Sequence, residues 1–241
     1  MGMSYEAPFH VRIGDFDRYG RLLPSSVLDI MQEVATIQAD DMGIGRDVMV
    51  SKGVFWAVVR MKFEMLLQPG LHSVLMAKTW PHSPTKASFM RDYTLATSEG
   101  QLVARATSEW VLVDIEKRRF ASVLNYYDGP TNFIEERALE GKLKKIPDFD
   151  EKGASFARIV PSYSDVDLNG HVNNSKYPNY VLDALRPRQD GTLRAMQIDY
   201  RHEILPEEEL RVYALDSDQT VLAKGVNAED KVMFAARIEY E

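Results

Sequence analysis

Acidic, amide and imidazole side chains occur together in one short stretch of the chain, DVDLNGHVNNSKY, residues 165–177. Asp167, Asn169 and His171 are spaced two residues apart, so in an extended segment their side chains would lie on one face. Together these groups could accept a proton, polarise a carbonyl and hold a water molecule. The stretch is therefore a candidate site for acid–base chemistry.

An amphipathic helix is predicted directly behind this stretch. Its apolar residues follow the spacing i, i+3, i+4, i+7, i+8, at Tyr177, Tyr180, Val181, Ala184 and Leu185. Asn173 or Asn174 is the predicted N-cap. The free N–H groups and the positive dipole end at the start of such a helix could polarise a carbonyl beside the polar residues.

The same unit occurs 150 residues earlier, where DFDRYGRLLPSSVLDIMQEVA (15–35) aligns with DVDLNGHVNNSKYPNYVLDAL (165–185). Both segments have Asp-x-Asp followed by a glycine, and both continue into the same apolar stripe. In the first copy the stripe is Val27, Ile30, Met31, Val34 and Ala35. A duplicated unit retains what its turn needs for structure, so the repeat predicts a structural role for Asp165.

Reactive side chains occur only in the second copy. A tyrosine and an arginine take the places of Asn169 and His171 in the first copy. When the proline turns LLQPG and ILPEE are aligned, a leucine takes the place of Glu203. The comparison predicts a single active site, with its polar groups in residues 167–203.

Each half is predicted to contain a strand, a loop, a long helix and then an antiparallel meander, which gives an α+β fold. The meander strands are predicted at 54–67, 72–81, 87–97 and 101–114, and at 194–205, 209–217, 220–227 and 231–241. Between the halves, residues 129–153 are charged and bounded by Gly and Pro, which predicts a partly helical linker with solvated lysines. The predicted domains are 1–128 and 154–241.

Composition excludes several functions for the 241-residue chain. Its net charge of −7 disfavours nucleic-acid binding. The absence of cysteine removes disulfides, thiolate metal sites and a cysteine nucleophile. The histidines outside the polar stretch lack metal-ligand spacing, so we expect no metal or other cofactor. No signal peptide and no apolar run of about 20 residues is present, which predicts a soluble cytoplasmic protein without membrane insertion.

The sequence resembles the acyl-acyl-carrier-protein thioesterases, a family built from two fused hotdog domains. DVDLNGHVNNSKYPNYVLD is similar to the family's second-half motif and MQEVATIQADDMGIG (31–45) to its first-half helix. TWP, RDY, SEWVLVD and DYRHEIL (199–205) occur in the family's order. The resemblance implies two tandem hotdog domains, each a long helix packed on a curved antiparallel sheet. Some relatives carry a cysteine where this chain has Ile204.

The resemblance implies hydrolysis of fatty acyl-carrier-protein thioesters, which ends chain elongation in fatty acid biosynthesis. It implies Asp167, Asn169, His171 and Glu203 as catalytic residues, with Glu203 on a strand. Without cysteine, water activated by Glu203 and His171 is the expected nucleophile, Asp167 orients His171, and Asn169 positions the carbonyl. An acyl anhydride formed by Asp167 is the alternative mechanism. An acyl-coenzyme A thioesterase and a non-catalytic acyl-binding module are the alternative functions.

Contacts are expected with both parts of the substrate, the fatty acyl chain and the acyl carrier protein. In the family the first hotdog domain shapes the tunnel for the fatty chain, and pliable methionines are expected to line it here, namely Met31, Met42, Met61 and Met65. Asn173 and Asn174 complete the predicted substrate-binding set. Acyl carrier protein, the expected partner, is acidic and would need a basic patch, either at Arg118 and Arg119 or at Arg186 and Arg188. A monomer and a homodimer are both compatible with a fused pair.

Overall fold

A computed structural model describes residues 3–186 and 191–241. These residues form two compact units. The first contains the chain up to Leu22 together with Asp29–Lys142, and the second contains Leu23–Leu28 together with Leu143–Glu241. The helices are α1 (Pro24–Asp41), α2 (Arg46–Ser51) and α3 (Tyr177–Leu185).

The first unit has an antiparallel sheet whose strands are β1 (Tyr5–His10), β2 (Val54–Met65), β3 (Val74–Pro81), β4 (Phe89–Thr97), β5 (Leu102–Asp114) and β6 (Phe120–Ala121). Its strand order is β1-β3-β4-β5-β2, and β6 pairs with the outer end of β5. The predicted meander is confirmed for β3, β4 and β5, which are neighbours in sequence and in the sheet. Its first strand, β2, departs from the prediction, because it pairs with β5 and lies at the far side of the meander from β3. In this unit each predicted meander strand matches an observed one to within two residues at either end.

The second unit has its own antiparallel ladder, formed by β7 (Ser155–Ile159), β8 (Leu193–Tyr200), β9 (Leu210–Ser217), β10 (Thr220–Val226) and β11 (Val232–Tyr240). The order is β8-β11-β10-β9-β7, and α3 packs against β7 and β9. Helices packed on antiparallel sheets confirm the predicted α+β class.

The apolar stripes of both long helices are buried as their spacing predicts. In α1 the five stripe residues are 9% exposed or less, and Val27, Met31 and Val34 are completely buried. In α3 Tyr177, Tyr180, Val181 and Ala184 are buried, and Leu185 is half-buried. Burying one apolar face of each helix is the main contribution these helices can make to stability.

The strand predicted to carry Glu203 ends earlier than expected. Its last residue is Tyr200, which pairs with Phe234 of β11. The next two backbone N–H groups, of Arg201 and His202, both donate to the carbonyl of Met233, at 2.9 and 3.0 Å. Two successive donors on one acceptor break the alternation of an antiparallel ladder, so Glu203 lies in the segment after the strand.

The prediction of a partly helical linker is wrong, because the structure assigns no helix or strand to residues 129–153. Side chains of distant strands satisfy its backbone instead. Buried Asp92 accepts a hydrogen bond from the N–H of Ala138 (2.8 Å), and buried Asp199 accepts one from Ile146 (2.7 Å). The lysines predicted to be solvated, Lys142, Lys144 and Lys145, are exposed. The segment 129–153 therefore has no regular secondary structure, and side chains of β4 and of the strand that contains Asp199 hold it in place.

Within the described parts of the chain, none of the helices has the length and apolar composition needed to cross a membrane.

Candidate active site

The polar stretch folds into a tight turn, not the extended segment considered from its spacing. The N–H of Asp167 donates to the carbonyl of His171 (2.8 Å), and the N–H of Gly170 donates back to the carbonyl of Asp167 (3.0 Å). Gly170 has φ 79°, a left-handed conformation that suits glycine. Val166 and Val172 form a β-bridge that closes the turn. The side chains of Asp167, Asn169 and His171 therefore do not share one strand face.

The carboxylate of Asp167 shapes this turn. Its Oδ1 accepts a hydrogen bond from the N–H of Asn169 (2.8 Å), and its Oδ2 accepts one from Asn169 Nδ2 (3.3 Å). Both contacts constrain Asn169. The neighbouring Asp165 accepts hydrogen bonds from the N–H of Ser162 (2.8 Å) and the hydroxyl of Tyr180 (3.0 Å), in agreement with its predicted structural role.

The first copy of the repeat forms the same turn. Asp17 Oδ1 accepts hydrogen bonds from the N–H groups of Tyr19 (2.8 Å) and Arg21 (2.9 Å), and Gly20 has φ 76°. Burial alone would raise the pKa of Asp17, but these hydrogen bonds and the Arg21 guanidinium hold it below its ordinary value. The residues shared by the two copies, an aspartate and a glycine, are those that build the turn.

His171 and Glu203 are brought together, although 32 positions separate them in the sequence. His171 Nε2 lies 3.4 Å from Glu203 Oε2, and the two side chains are 27% and 36% exposed. Glu203 is held in place through the next residue, because the carbonyl of buried Ile204 accepts a hydrogen bond from the N–H of Val172 (2.9 Å). An imidazole and a carboxylate at this distance, with access to solvent, can take a proton from a water molecule.

The start of α3 lies next in sequence to the turn. The predicted N-cap is confirmed for Asn173, whose side-chain oxygen accepts a hydrogen bond from the N–H of Ser175 (3.0 Å) and caps a 3-10 turn, Asn174–Lys176, that leads into the helix. The carbonyl of Asn174 accepts a hydrogen bond from the hydroxyl of Tyr200 (3.1 Å). Both asparagines therefore fix the backbone at the helix start.

Tyr177 is a component of the site that sequence reasoning placed only in the apolar stripe. Its side chain is buried, and burial raises the pKa of Tyr177. A hydrogen bond with the Ile204 backbone opposes this effect, and the nearby charges of Glu203, Glu208 and Asp167 add to it. The phenol is therefore protonated beside His171 and Glu203. A tyrosine in a helical stripe gives no signal of such a polar environment.

The four predicted chain-binding methionines are all buried in the first unit, namely Met31, Met42, Met61 and Met65. Met42 belongs to an apolar cluster with Ile44, Met49 and Phe89. Its aromatic part includes Phe89 stacked on Trp56, with ring centroids 5.5 Å apart. Burial places these side chains in the core of the first unit.

The predicted basic patch at Arg118 and Arg119 lies in the hairpin turn between β5 and β6. The N–H of Arg118 donates to the carbonyl of Asp114 (2.9 Å), and its guanidinium lies 5.6 Å from the ring centre of Phe55. Both arginines are exposed. Arg186 ends α3 in a left-handed conformation, with φ 52°, and Arg188 lies outside the described residues.

Family models match the chain in both units. Residues 2–128 match the acyl-ACP thioesterase N-terminal domain, and residues 150–241 match the C-terminal domain. The chain therefore belongs to the acyl-ACP thioesterase family.

Curated relatives agree with this membership. The chain is 28% identical over 222 residues to the oleoyl-acyl carrier protein thioesterase 2, chloroplastic, of Arabidopsis thaliana, covering 84% of this chain and 60% of that protein. It is 29% identical over 216 residues to the palmitoyl-acyl carrier protein thioesterase, chloroplastic, of Gossypium hirsutum, covering 84% and 52%. The chain thus corresponds to a little over half of the length of these relatives.

Solved structures show the same fold. The acyl-ACP thioesterase of Bacteroides thetaiotaomicron superposes with a TM-score of 0.88 at 21% identity, covering 99% of this chain and 98% of that one. The 12:0-ACP thioesterase of Umbellularia californica superposes with a TM-score of 0.90 at 21% identity, covering 100% and 98%. The expected double-hotdog architecture is confirmed.

Proposed function

We propose that this protein hydrolyses fatty acyl thioesters of acyl carrier protein to the free fatty acid and the carrier thiol. The observation that carries the proposal is the placement of His171 3.4 Å from Glu203, beside the turn that holds Asn169. The chain has no cysteine, so this histidine–carboxylate pair is the best candidate for activating a nucleophile.

In the proposed mechanism Glu203 and His171 take a proton from water as its oxygen attacks the thioester carbonyl carbon. The tetrahedral oxyanion is stabilised by the amide of Asn169 and by the positive dipole end of α3. The carbon–sulfur bond then breaks, and the proton passes from His171 to the leaving thiolate. Asp167 contributes by holding Asn169, which refines the expectation that it orients His171.

The geometry favours water over an anhydride. A nucleophilic Asp167 would have to attack with an oxygen, yet both of its oxygens accept hydrogen bonds from Asn169. Single-turnover hydrolysis in oxygen-18 water, followed by mass spectrometry of the Asp167 and Glu203 peptides, separates the two mechanisms. All label is expected in the fatty acid. Label in a side-chain carboxylate would require the anhydride.

A free-thiol assay with acyl-carrier-protein and acyl-coenzyme A substrates of several lengths tests the function. We expect turnover of both carriers, with the higher kcat/KM on acyl carrier protein. A higher kcat/KM on coenzyme A would assign the protein to the acyl-coenzyme A thioesterases. Saturable binding without release of thiol would leave an acyl-binding module.

We further propose that Met31, Met42, Met61 and Met65 line the fatty-chain site and that the Arg118–Arg119 turn receives the acidic carrier. Reversing both arginines to glutamate is expected to raise KM for the carrier substrate at least fivefold more than KM for the coenzyme A substrate. Equal changes on both substrates would remove the docking proposal.

The domain boundaries 1–128 and 154–241, a cytoplasmic location and a monomeric or homodimeric state complete the proposal. Light scattering coupled to size exclusion would distinguish the two states, and a larger assembly would contradict both.

A further inference from the structure

One arginine in the first unit is buried without the carboxylate partner that a buried charge usually has. Arg91 of β4 is 4% exposed. Its Nη1 donates to Gln38 Oε1 of α1 and to Thr79 Oγ1 of β3, the latter at 3.2 Å. Gln38 Nε2 in turn donates to the carbonyl of Met3 (3.0 Å), and the Thr79 hydroxyl donates to the carbonyl of Asp92 (2.9 Å). Both acceptors are neutral and anchored to the backbone.

The positive charge of Arg91 stays uncompensated within the described residues, where no carboxylate lies within ion-pair distance of it. The neighbouring Asp92 is engaged on the other face of β4. Its Oδ2 accepts the hydrogen bond from Ala138 and lies 3.0 Å from His82 Nε2, although imidazole and carboxylate are not aligned for a hydrogen bond. Burying an arginine without an anion is costly, because arginine cannot lose its proton to become neutral.

The phenols around Arg91 do not supply the missing anion. Burial lowers the pKa of Arg91, and Tyr93 and Tyr127 oppose this effect. Burial also raises the pKa of both phenols, that of Tyr127 to about 12, so both are neutral at physiological pH. The hydroxyl of Tyr93 is already bonded to Ser108 (2.9 Å).

One edge of the guanidinium is left with hydrogen-bond donors to spare. Arginine has five N–H groups, and two of them are used on Nη1. The described residues supply no acceptor for the N–H groups of Nε and Nη2. These two nitrogens form the planar edge that binds a carboxylate through two parallel hydrogen bonds. The uncompensated positive charge and the unused donors both favour a carboxylate ligand.

The surroundings of this edge suit an alkyl chain. Strand alternation places Phe89 on the same face of β4 as Arg91, and helical spacing places Met31 on the same face of α1 as Gln38. Met42 directly follows α1, and its N–H donates to the carbonyl of Gln38 (2.9 Å). Met42 and Phe89 pack in one apolar cluster. The guanidinium therefore lies in the layer between α1 and β4, to which the fatty chain is assigned above.

We propose that Arg91, fixed by Gln38 and Thr79, binds a carboxylate attached to an alkyl chain. The inference rests on the proposed function, since it places this carboxylate in the fatty-chain site. Two sources share this chemistry, the free fatty acid released by hydrolysis and an acyl chain that carries a second, terminal carboxylate.

Equilibrium binding tests the proposal without requiring turnover. Titrations of the unmodified protein with dodecanoate and with dodecanol, followed by calorimetry, compare two chains that differ in the head group. We expect dodecanoate to bind at least tenfold more tightly. Equal affinity would overturn the proposal, whether or not the protein hydrolyses thioesters.

Variants test whether Arg91 causes the preference for dodecanoate over dodecanol. Arg91→Met is expected to abolish it, and Arg91→Lys to weaken it, because lysine lacks the planar edge. Arg105→Met is the control, since Arg105 on β5 is half-exposed and has its own partner, Glu64, at 2.8 Å. A preference that survives in Arg91→Met would overturn the proposal. If Arg91→Met does not fold, the titrations of the unmodified protein and of Arg91→Lys still decide.

The source of the carboxylate is determined separately. An acyl thioester with a terminal carboxylate is compared with its unmodified counterpart in the His171→Ala variant, in which hydrolysis is expected to be slow. A preference for free dodecanoate alone identifies the product as the ligand, and a preference for the terminal carboxylate identifies the acyl chain. The absence of both preferences would contradict the proposal.

Discussion

Replacing His171 by alanine is expected to reduce turnover strongly while leaving the fold nearly as stable. A positioned acid–base group contributes a factor of about 100 or more, so kcat should fall about 100-fold, equivalent to roughly 2.7 kcal/mol in the activation free energy. Glu203→Gln is expected to have an effect of the same size, because Glu203 is the other half of the pair.

The structure also sets the expected loss of stability. His171 and Glu203 are 3.4 Å apart and 27% and 36% exposed. Ion pairs exposed to this degree contribute at most about 1 kcal/mol to the free energy of unfolding. In a chain of this length 1 kcal/mol corresponds to a shift of about 2–4 °C in Tm. Circular dichroism melts should therefore show a shift of no more than about 4 °C.

The repeat supplies a matched control in Arg21→Ala. Arg21 takes the turn position of His171 in the first copy and bonds Asp17 at 2.9 Å. Its loss is expected to lower Tm by at least as much as the loss of His171, with kcat changed less than twofold. Near-normal turnover in both His171→Ala and Glu203→Gln would refute the reasoning and leave the second turn with a structural role only.

Three further predictions concern chain length, packing and pH. Met42→Phe is expected to shift the preferred acyl chain to shorter lengths by reducing the space in the core, as measured by kcat/KM across a substrate series; an unchanged length profile would contradict it. Ile204→Ala should lower the free energy of unfolding by about 2–5 kcal/mol, because Ile204 is completely buried, with kcat within about fivefold; loss of kcat in the folded variant would assign Ile204 to the chemistry. Asp17→Asn should destabilise the protein at pH 7 by about 1–2 kcal/mol, and the difference should disappear as the pH falls below the ordinary aspartate pKa of about 3.9, since the pKa of Asp17 is lowered in the folded state. Denaturant unfolding at pH 7 and at a pH below about 3.9 measures this difference in stability. A difference that does not change with pH would contradict the prediction.

The long helices and the duplicated turn could be predicted because each has a periodic or repeated pattern. The stripes of α1 and α3 have helical spacing, and spacing alone determines which face is buried. The Asp-x-Asp and glycine pattern predicted that both copies share a turn, and the carboxylates of Asp17 and Asp167 accept the hydrogen bonds that form it in both.

Three features could not be predicted, because individual hydrogen bonds that no residue pattern reveals determine them. Residues spaced two apart occur in strands and in tight turns alike, and the hydrogen bond from Asp167 to the carbonyl of His171 selects the turn. The strand before Glu203 ends because Met233 accepts two N–H groups. The segment 129–153 lacks helix since Asp92 and Asp199, 46 and 53 positions from their partners, accept its N–H groups.

The duplicated turn also has a consequence for protein engineering. Its backbone is fixed by an aspartate and a glycine, and the residues between these two and directly after the glycine differ between the copies. Tyr19 and Arg21 in one copy are accommodated by the same hydrogen bonds as Asn169 and His171 in the other. The turn is therefore a small exchangeable scaffold, in which reactive side chains can be introduced or removed while the two residues that determine the backbone are left unchanged.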